Sequence, residues 1–251
     1  MKFTKYILFA FLIGVSQAKA NENDLNDGFN FYRHNENYFI TGKEETKIQF
    51  SFKTEIFSNL GLYLGYTQLM FWDIGKGSSR FSDVNYNPEI FYRWKISDSN
   101  VKEIDFCAIE HKSDGQNGAD ARSWNRFYLN LKNEIGFLHQ NFRAETKIYV
   151  FYDYNETNSE IFRKLGFVEF GLSLENLWHG HFRQDELNIK IVPGGVFSLN
   201  ENEGHQEINL KMRLQVPHLN PLIYFQIFNG TDEKLMRYNE TATSYRIGVA
   251  L

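Results

Sequence analysis

The sequence has little cysteine, little proline and no long hydrophobic run, and each shortage excludes a class of protein. A single cysteine among 251 residues rules out an intramolecular disulfide framework. Only 4 prolines and 18 glycines exclude a collagen-like chain. No apolar run reaches the roughly 18 to 20 residues that a membrane-spanning helix needs. A helical membrane protein is therefore excluded.

The chain also has no excess of positive charge: 27 Lys and Arg stand against 31 Asp and Glu, which gives a net charge of −4. A nucleic-acid-binding domain normally carries a basic surface, so we expect no nucleic-acid partner. Aromatic residues, in contrast, make up 17% of the chain, with 24 Phe and 14 Tyr. The mean hydropathy of −0.46 does not exclude a membrane β-barrel, because barrel strands alternate between apolar and polar residues.

The N-terminal residues 1–20 are typical of a secretory signal peptide. Two early lysines precede the ten-residue apolar run Tyr6–Val15, and the tripeptide that ends at Ala20 fits a small-x-small cleavage pattern. Ten residues are too few for a membrane anchor. We expect a polar, partly disordered N-terminal segment over 21–46 and a β-domain over 47–251.

From residue 47 onward the hydrophobic pattern has a period of two, which indicates β-strands. Between Ile208 and Val216, for example, apolar residues alternate with Asn209, Lys211 and Arg213. Turn residues separate the alternating segments. Roughly twelve strands are predicted in this way: 47–57, 62–72, 88–96, 103–113, 122–132, 142–150, 165–175, 185–192, 195–199, 208–216, 221–228 and 243–251.

An alternating pattern fits either a soluble β-sandwich or a membrane β-barrel, and two features favour the barrel. Strands of about ten residues match a tilted passage across a bilayer. Aromatic residues cluster toward segment ends, as an aromatic girdle would. We therefore predict an all-β, transmembrane antiparallel barrel of about 12 strands. Its apolar face would meet lipid, and inward charges would pair across the lumen, among them Arg143, Glu145, Lys147, Lys211 and Arg213.

His111 is the only histidine that has a serine two residues later. Residues two apart on a strand share a face, so His111 and Ser113 could act as base and nucleophile. Asn125 shares the apolar face of the next strand with Phe127 and Leu129, and an asparagine can orient an imidazole. Polar side chains that face lipid are costly and are therefore functional candidates. The alternative is an ordinary strand end in which His-x-Ser arises by chance.

Two further features are expected to be structural. Cys107 shares the predicted face of His111, and we expect it to pack toward lipid. His179 and His181 could form half of a metal site, but no nearby cysteine or acid completes a ligand set. We therefore expect a loop at these two histidines.

Four short motifs stand out at definite spacing. They are Tyr66-Thr67-Gln68, Asn85-Tyr86-x-Pro88-Glu89, Glu110-His111-Lys112-Ser113-Asp114-Gly115 and Arg122-Ser123-Trp124-Asn125-Arg126. In these motifs the chain resembles the bacterial outer-membrane phospholipase A family. A weaker likeness runs from about residue 47 to the C-terminus, so the resemblance covers most of the predicted mature chain.

The resemblance implies a bacterial outer-membrane enzyme that hydrolyses sn-1 and sn-2 acyl esters of phospholipids and lysophospholipids. It implies Ser113 as the nucleophile, His111 as the general base and Asn125 as the orienting residue. The backbone N–H of Gly115 would help to stabilise the oxyanion. The resemblance also implies a dependence on Ca²⁺ and activation by homodimerisation, with Gln68 at the dimer interface. The alternative is that Gln68 is a polar residue that faces the barrel interior.

The implied calcium ion would polarise the ester. Its ligands would be carbonyl oxygens of Gln116 and of Ser78 of the partner subunit, plus a ligand at Ala121. The family commonly has serine where this chain has Ala121 and arginine where it has Gln116. Alanine removes a hydroxyl ligand, so calcium would bind more weakly unless water or a nearby acid compensates, such as Asp114, Asp120 or Glu156.

Two other functions stay open at this point. A non-catalytic outer-membrane barrel, such as a pore or structural protein, would conduct ions and leave lipid unchanged after Ser113→Ala. A secreted soluble β-domain that binds lipid or glycan would fractionate without detergent. The joint presence of the motifs around His111 and Asn125 favours the enzyme over both.

Overall fold

The computed structural model describes residues 30–57, 59–74, 80–97, 99–137, 140–177, 182–198, 200, 202–214 and 221–251. Among these residues no helix is long and apolar enough to span a membrane. One short α-helix, α1 (Ile161–Leu165), and two 3₁₀ turns, Gly118–Asp120 and Glu156–Asn158, accompany the strands. The strands are β1 (Phe31–Arg33), β2 (Tyr38–Gly42), β3 (Thr46–Glu55), β4 (Leu62–Trp72), β5 (Phe81–Lys95), β6 (Val101–Ser113), β7 (Ser123–Phe137), β8 (Gln140–Tyr154), β9 (Val168–Glu175), β10 (Phe182–Pro193), β11 (Gly204–Leu214), β12 (Leu222–Gly230) and β13 (Ala242–Ala250).

The sheet closes on itself because its last strand pairs with β2. Each strand from β3 to β13 pairs with the next along the chain, and β13 then pairs with β2, with Val249 opposite Phe39. β2 pairs in turn with β3, and β1 pairs with β3 further along, with Phe31 opposite Thr54. Over the described residues, β2 to β13 form the closed twelve-stranded antiparallel barrel that the alternating pattern predicts, so the predicted fold class is confirmed.

One predicted strand is a turn instead. Residues 195–198 of this segment lie in a tight bend in which Gly194 and Ser198 exchange backbone hydrogen bonds of 2.8 and 2.7 Å, and residue 199 lies outside the described residues. Gly195 and Phe197 have positive φ angles of 49° and 61°, which an extended strand does not adopt. Val196 and Phe197 are exposed at the bend, so the apolar residues here do not indicate a strand.

The barrel also begins before residue 47. β2 lies inside the segment 21–46, which the polar sequence predicts to be partly disordered. Its Tyr38 and Ile40 are buried against Tyr224 of β12. Partner strands on both sides order β2, and a local hydropathy pattern does not contain that information.

The outer face of the barrel is apolar. Outward side chains such as Trp94 and Val150 are 61% and 58% exposed, whereas the inward Tyr149 next to Val150 is buried. A continuous apolar surface of this kind faces lipid rather than water. The outward set includes Tyr92, Phe106, Ile109, Phe127, Leu129, Ile148, Phe170, Leu172, Ile208, Ile227, Tyr245, Ile247 and Val249.

The inner face is charged and surrounds a cavity of about 670 Å³. Lys211 Nζ lies 2.8 Å from carboxylate oxygens of both Glu36 and Glu186, and His34 Nε2 lies 2.5 Å from Glu89 Oε1. Buried charges are tolerated when they are paired in this way. Of the five charged residues predicted to face the lumen, Arg213 is not among those that line this cavity. The other four line it: Arg143, Glu145, Lys147 and Lys211.

Two folded connections cover one end of the lumen. Residues 155–167 include α1, whose Ile161 is buried, and residues 231–241 contribute the buried Leu235. They form an apolar cluster with inward side chains of the strands, so the barrel is closed at that end in the described part of the chain. This closure does not suit an open pore. The members of the cluster are Trp124, Phe151, Ile161, Leu165, Val192, Leu235 and Tyr238.

A bulge in β6 changes which residues face the lumen. The register of β6 against β7 shifts between Cys107 and Glu110. Cys107 is therefore buried inside the barrel against Tyr128, while Ile109 is 49% exposed on the outside. The expectation that Cys107 faces lipid together with His111 is wrong, because strict alternation does not hold across a bulge.

A buried ion pair lies on the inner face just after this bulge. Arg126 donates to Glu110 through Nε at 2.6 Å and Nη2 at 3.1 Å. Its guanidinium also lies 4.7 and 4.2 Å from the ring centroids of Trp124 and Tyr149. Because Glu110 and Arg126 are direct cross-strand partners, the pair holds β6 against β7 in one register.

We expect Glu110→Gln to lower the free energy of unfolding by about 3 kcal/mol, because it leaves the Arg126 charge buried without its carboxylate. Urea unfolding of the lipid-reconstituted protein, followed by tryptophan fluorescence, measures the change. Arg163→Gln is the matched control, since the Arg163 side chain is 59% exposed beside Glu203 and solvent screens such pairs, so the free energy of unfolding should hardly change. Equal losses in the two variants would contradict the prediction.

Candidate active site

The longer connections of the barrel lie at one end, and the candidate residues lie where the strands reach that end. β6 ends at Ser113 and β7 begins at Ser123. The connection between them lies at the same end as the two segments that cover the lumen, because neighbouring strands are antiparallel. The connections at this end are 43–45, 73–80, 114–122, 155–167, 194–203 and 231–241.

The structure brings the three predicted catalytic side chains together on the outer face. His111 is opposite Asn125 in register, and its Nδ1 lies 2.9 Å from Asn125 Oδ1. Ser113 is two residues further along β6, on the same face, and is opposite Ser123. All three side chains are half-buried. The imidazole and the amide are therefore in contact, and the Ser113 side chain lies on the same face, on a surface that otherwise faces lipid.

Asp153 of β8 lies next to Asn125 on the following strand, so that His111, Asn125 and Asp153 form one row across three strands. Asp153 is not among the residues that the sequence pattern predicts for the site. It is opposite Asn125 in register, and Asn125 Nδ2 donates to Asp153 Oδ2 at 3.0 Å. The sequence pattern predicts a strand that ends at residue 150, whereas β8 continues to Tyr154. An acid just after an aromatic run is the only local signal, and it does not reveal the cross-strand partner.

Asp114 organises the loop that follows Ser113. Its Oδ1 and Oδ2 accept hydrogen bonds of 3.0 Å from the backbone N–H groups of Gln116 and Arg122. Its own N–H donates to the Arg122 carbonyl at 3.1 Å. The buried carboxylate thus joins the two ends of the loop 114–122 beside Ser113.

Gly115 adopts a backbone conformation that favours glycine. Its φ is +70°, in the left-handed region, and a Cβ there would lie 2.9 Å from Tyr86 Cε2. Tyr86 is the cross-strand partner of Ser113 in β5. The loop backbone at Gly115 therefore lies against Tyr86, which is beside Ser113 in the sheet, and its oxyanion role stays a prediction.

Apolar side chains border the site on its lipid-facing side. Tyr152 stacks on Phe127 with ring centroids 4.3 Å apart. Ile109 and Tyr86 are exposed on the neighbouring strands. Ligand sites commonly combine such apolar walls with a few polar groups, so this surface suits an acyl chain next to a reacting ester.

Some sequence candidates lie outside the described residues. They are Ser78, which is one of the predicted calcium ligands, His179 and His181, and the predicted signal peptide 1–20. These assignments stay predictions. Gln116, by contrast, lies exposed in the described loop.

The carbonyl oxygen of Ala121, at the end of the same loop, accepts hydrogen bonds from two other residues. It accepts hydrogen bonds from the Thr157 hydroxyl and, at 2.9 Å, from Arg122 Nη1. Arg122 Nη1 also donates to the Ala119 carbonyl at 2.8 Å. Thr157 was not apparent from the sequence, because its contact with Ala121 joins two separate loops.

The loop offers neutral oxygen atoms of the kind that calcium binds. Calcium takes roughly six to eight oxygen ligands, and the Ala121 carbonyl and Thr157 hydroxyl are in contact, as adjacent ligands would be. Thr157 thus places a second neutral oxygen beside the Ala121 carbonyl. In the described ranges no group of three or more His, Cys, Asp and Glu side chains could hold a metal. A bound ion would displace the Arg122 guanidinium from the Ala121 carbonyl.

Gln68 lies on the outer face, two strands from Ser113. It is opposite Tyr86 in register, and Tyr86 is opposite Ser113. Its Oε1 accepts from the Tyr66 hydroxyl at 3.0 Å, and its Nε2 donates to Met70 Sδ at 3.4 Å. Both ends of the amide thus have partners within β4, and the place of Gln68 at a dimer interface stays a prediction.

Solved structures with the same fold are outer-membrane proteins. The crystal structure of the Salmonella typhi outer membrane phospholipase dimer with bound calcium matches with a TM-score of 0.74 at 23% identity, over 90% of this chain and 93% of that chain. Outer membrane phospholipase A from Escherichia coli matches with a TM-score of 0.71 at 24% identity, over 89% and 98%. The closed barrel with its lipid-facing apolar surface is an outer-membrane β-barrel.

The sequence comparison gives the family. The family model described as Phospholipase A1 matches residues 1–251, and the chain belongs to that family. Phospholipase A1 of Salmonella typhimurium is 26% identical over 244 residues, which cover 92% of this chain and 77% of that protein. Phospholipase A1 of Escherichia coli K12 is 26% identical over 220 residues, which cover 83% and 70%. The resemblance seen in the sequence motifs is thereby confirmed.

We expect Asp114→Asn to loosen the loop 114–122, because an amide presents one oxygen where the carboxylate presents two to backbone N–H groups. Loss of a hydrogen bond to a charged group corresponds to about 1.5 kcal/mol, so trypsin cleavage after Arg122 should become about tenfold faster. Limited proteolysis with mass spectrometry measures the rate. Asp120→Asn removes an exposed charge from the same loop and should leave cleavage unchanged; similar rates in both variants would exclude the bracing role of Asp114.

Proposed function

We propose that the chain is a calcium-dependent outer-membrane phospholipase A that hydrolyses sn-1 and sn-2 acyl esters of phospholipids and lysophospholipids. The observation that carries the proposal is the 2.9 Å contact between His111 and Asn125 beside Ser113 on a lipid-facing surface. Polar side chains are costly in that position. Membership of the Phospholipase A1 family supports their use in ester hydrolysis.

Ser113 is the nucleophile in this proposal. Its Oγ attacks the ester carbonyl carbon while its proton passes to Nε2 of His111. The bond to the leaving alcohol oxygen then breaks, that oxygen takes the proton from His111, and the acyl group stays on Ser113. Water, deprotonated by the same imidazole, releases the fatty acid and restores the Ser113 hydroxyl.

Asn125 and Gly115 support this chemistry from two sides. Asn125 Oδ1 accepts from the Nδ1–H of His111, which leaves Nε2 free to take the proton from Ser113. A neutral amide is less costly next to lipid than a carboxylate would be. The Gly115 N–H would donate to the oxyanion that develops on the carbonyl oxygen.

A calcium ion at the loop would supply positive charge that polarises the ester carbonyl. The carbonyls of Gln116 and Ala121 and the hydroxyl of Thr157 would hold it, together with Ser78 of the partner subunit. The contact between Ala121 and Thr157 supports this ligand set. The Salmonella typhi outer membrane phospholipase, which has this fold, is a dimer with bound calcium.

A homodimer completes the proposed site. The cross-strand row from Gln68 through Tyr86 to Ser113 brings a lipid-facing amide near the nucleophile. In a two-fold dimer the same patch meets itself, and hydrogen bonds between amides in lipid favour association by about 1 kcal/mol. A monomer would lack a calcium ligand and part of the acyl-chain groove, so dimerisation would activate hydrolysis.

We expect Ser113→Ala to lower fatty-acid release from mixed phospholipid–detergent micelles at least about 10³-fold, because the nucleophile is lost. Wild type should lose most of its release when a chelator removes Ca²⁺. The assay compares refolded wild type and variant, each with Ca²⁺ and with chelator.

Ser123→Ala is the matched control for that assay, since Ser123 is the cross-strand partner of Ser113 and its hydroxyl has no role in the mechanism. It should retain release. Persistent release from Ser113→Ala would exclude the proposed nucleophile. Release that depends on Ser113 but ignores the chelator would exclude calcium and keep the hydrolase.

We expect Gln68→Leu to lower the activity per subunit at low protein density in micelles, because the dimer dissociates more readily. The deficit should vanish at high density, where mass action restores pairing. Gln206→Leu is the matched control, because Gln206 is an exposed glutamine on the distant strand β11. Wild-type activity that stays proportional to enzyme over a wide dilution would contradict activation by dimerisation.

A further inference from the structure

Three side chains on three successive strands form one line of hydrogen bonds at the site. Asp153 of β8 accepts from Asn125 Nδ2 at 3.0 Å, and Asn125 Oδ1 lies 2.9 Å from His111 Nδ1. Asp153, Asn125 and His111 are cross-strand partners in the same row. The mechanism above uses only the second of these two contacts.

The carboxylate determines which way the Asn125 amide points. An ionised carboxylate only accepts hydrogen bonds, so the neighbouring amide must present its NH₂ group to Asp153. Its oxygen is then directed at His111, and Nδ1 must carry the proton that this oxygen accepts. The neutral imidazole is thereby fixed in the tautomer whose Nε2 is an acceptor.

The opposite amide orientation would disable the base. If the Asn125 NH₂ group faced His111, Nδ1 would have to accept and Nε2 would carry the proton in the neutral ring. That imidazole could not take a proton from Ser113. Asparagine alone does not choose between the two orientations, because both of its ends form hydrogen bonds.

The position of Asp153 suits this role. The side chain is exposed near the end of β8, where water solvates the carboxylate. Asn125, between Asp153 and His111, is half-buried. The charge therefore acts on the site from one strand away, and no carboxylate has to be placed against lipid.

We propose that Asp153 is a positioning residue of the hydrolytic site, which orients the Asn125 amide and through it fixes the reactive tautomer of His111. The inference rests on the proposed function. Asp153 does not touch the substrate in this scheme, so its loss should slow the chemical step and leave substrate binding unchanged.

Asp153→Asn tests the proposal, because it keeps the shape but lets the two amides meet in either orientation. Without the charge the two orientations become about equally populated, so the reactive population and with it kcat should fall about twofold while KM stays unchanged. Labelling of Ser113 by a fluorophosphonate probe should slow by a similar factor. Glu240→Gln removes an exposed carboxylate from a loop at the same end of the barrel and should change neither rate.

A double-mutant cycle separates positioning from a general structural effect. If Asp153 acts only through Asn125, adding Asp153→Asn to Asn125→Ala should cause no further loss. Losses that multiply in the double variant would overturn the proposal. Recovery of Asp153→Asn at higher Ca²⁺ would also overturn it, because the carboxylate would then act on the metal.

The controls distinguish failure of this inference from failure of the proposed function. If wild type releases fatty acid and reacts with the probe but Asp153→Asn matches it, only the positioning role is wrong. If wild type shows neither Ser113-dependent release nor labelling, both proposals fall. Asp153→Ser, which also removes the carboxylate, replaces Asp153→Asn in these assays if Asp153→Asn does not fold. The gel mobility of unheated samples verifies that each barrel is folded.

Discussion

The ion pair between Glu110 and Arg126 fixes the register on which the site depends. Both side chains point into the barrel, and they are direct partners across β6 and β7. The next residue pair on the outer face is His111 with Asn125. A slip of one residue would turn every side chain of the strand to the other face. The bulge after Cys107 serves the same arrangement, because it resets the alternation so that Glu110 faces inward and His111 outward.

The outer face imposes a second constraint, which is the low dielectric of the membrane. Every polar group there needs a partner, and the site meets this need with a row of hydrogen bonds rather than with a buried charge. Asn125 links the imidazole to Asp153, which lies where the strand emerges toward water. The carboxylate of Asp114 closes the nearby loop, because it accepts hydrogen bonds from the backbone N–H groups of Gln116 and Arg122. The strands thus hold the proposed base, and the loop holds the proposed oxyanion donor.

Contacts inside the barrel stabilise the strands that carry the site on the outer face. Paired charges line the lumen, as in the contacts of Lys211 with Glu36 and Glu186. The apolar cluster around Leu235 and Ile161 covers the end nearest the site, and Lys112 of the site strand lies 3.6 Å from Asp232 beneath it. Burial raises the pKa of the Asp232 carboxyl, and the charge of Lys112 counteracts this. The ion pairs that line the lumen and the apolar cluster that covers its end thus stabilise the barrel beneath a reaction on its outer face.

The sequence by itself determined the barrel class, most strand positions and the catalytic candidates His111, Ser113 and Asn125, because period-two alternation and local motifs lie within single strands. It misassigned residues 195–199 and the face of Cys107, since turns and bulges break that period locally. Only the tertiary structure decided the strand β2, the partner Asp153 and the contact of Thr157 with Ala121. Each depends on which residues lie opposite one another across strands or between loops, and register is a property of pairing that no single segment contains.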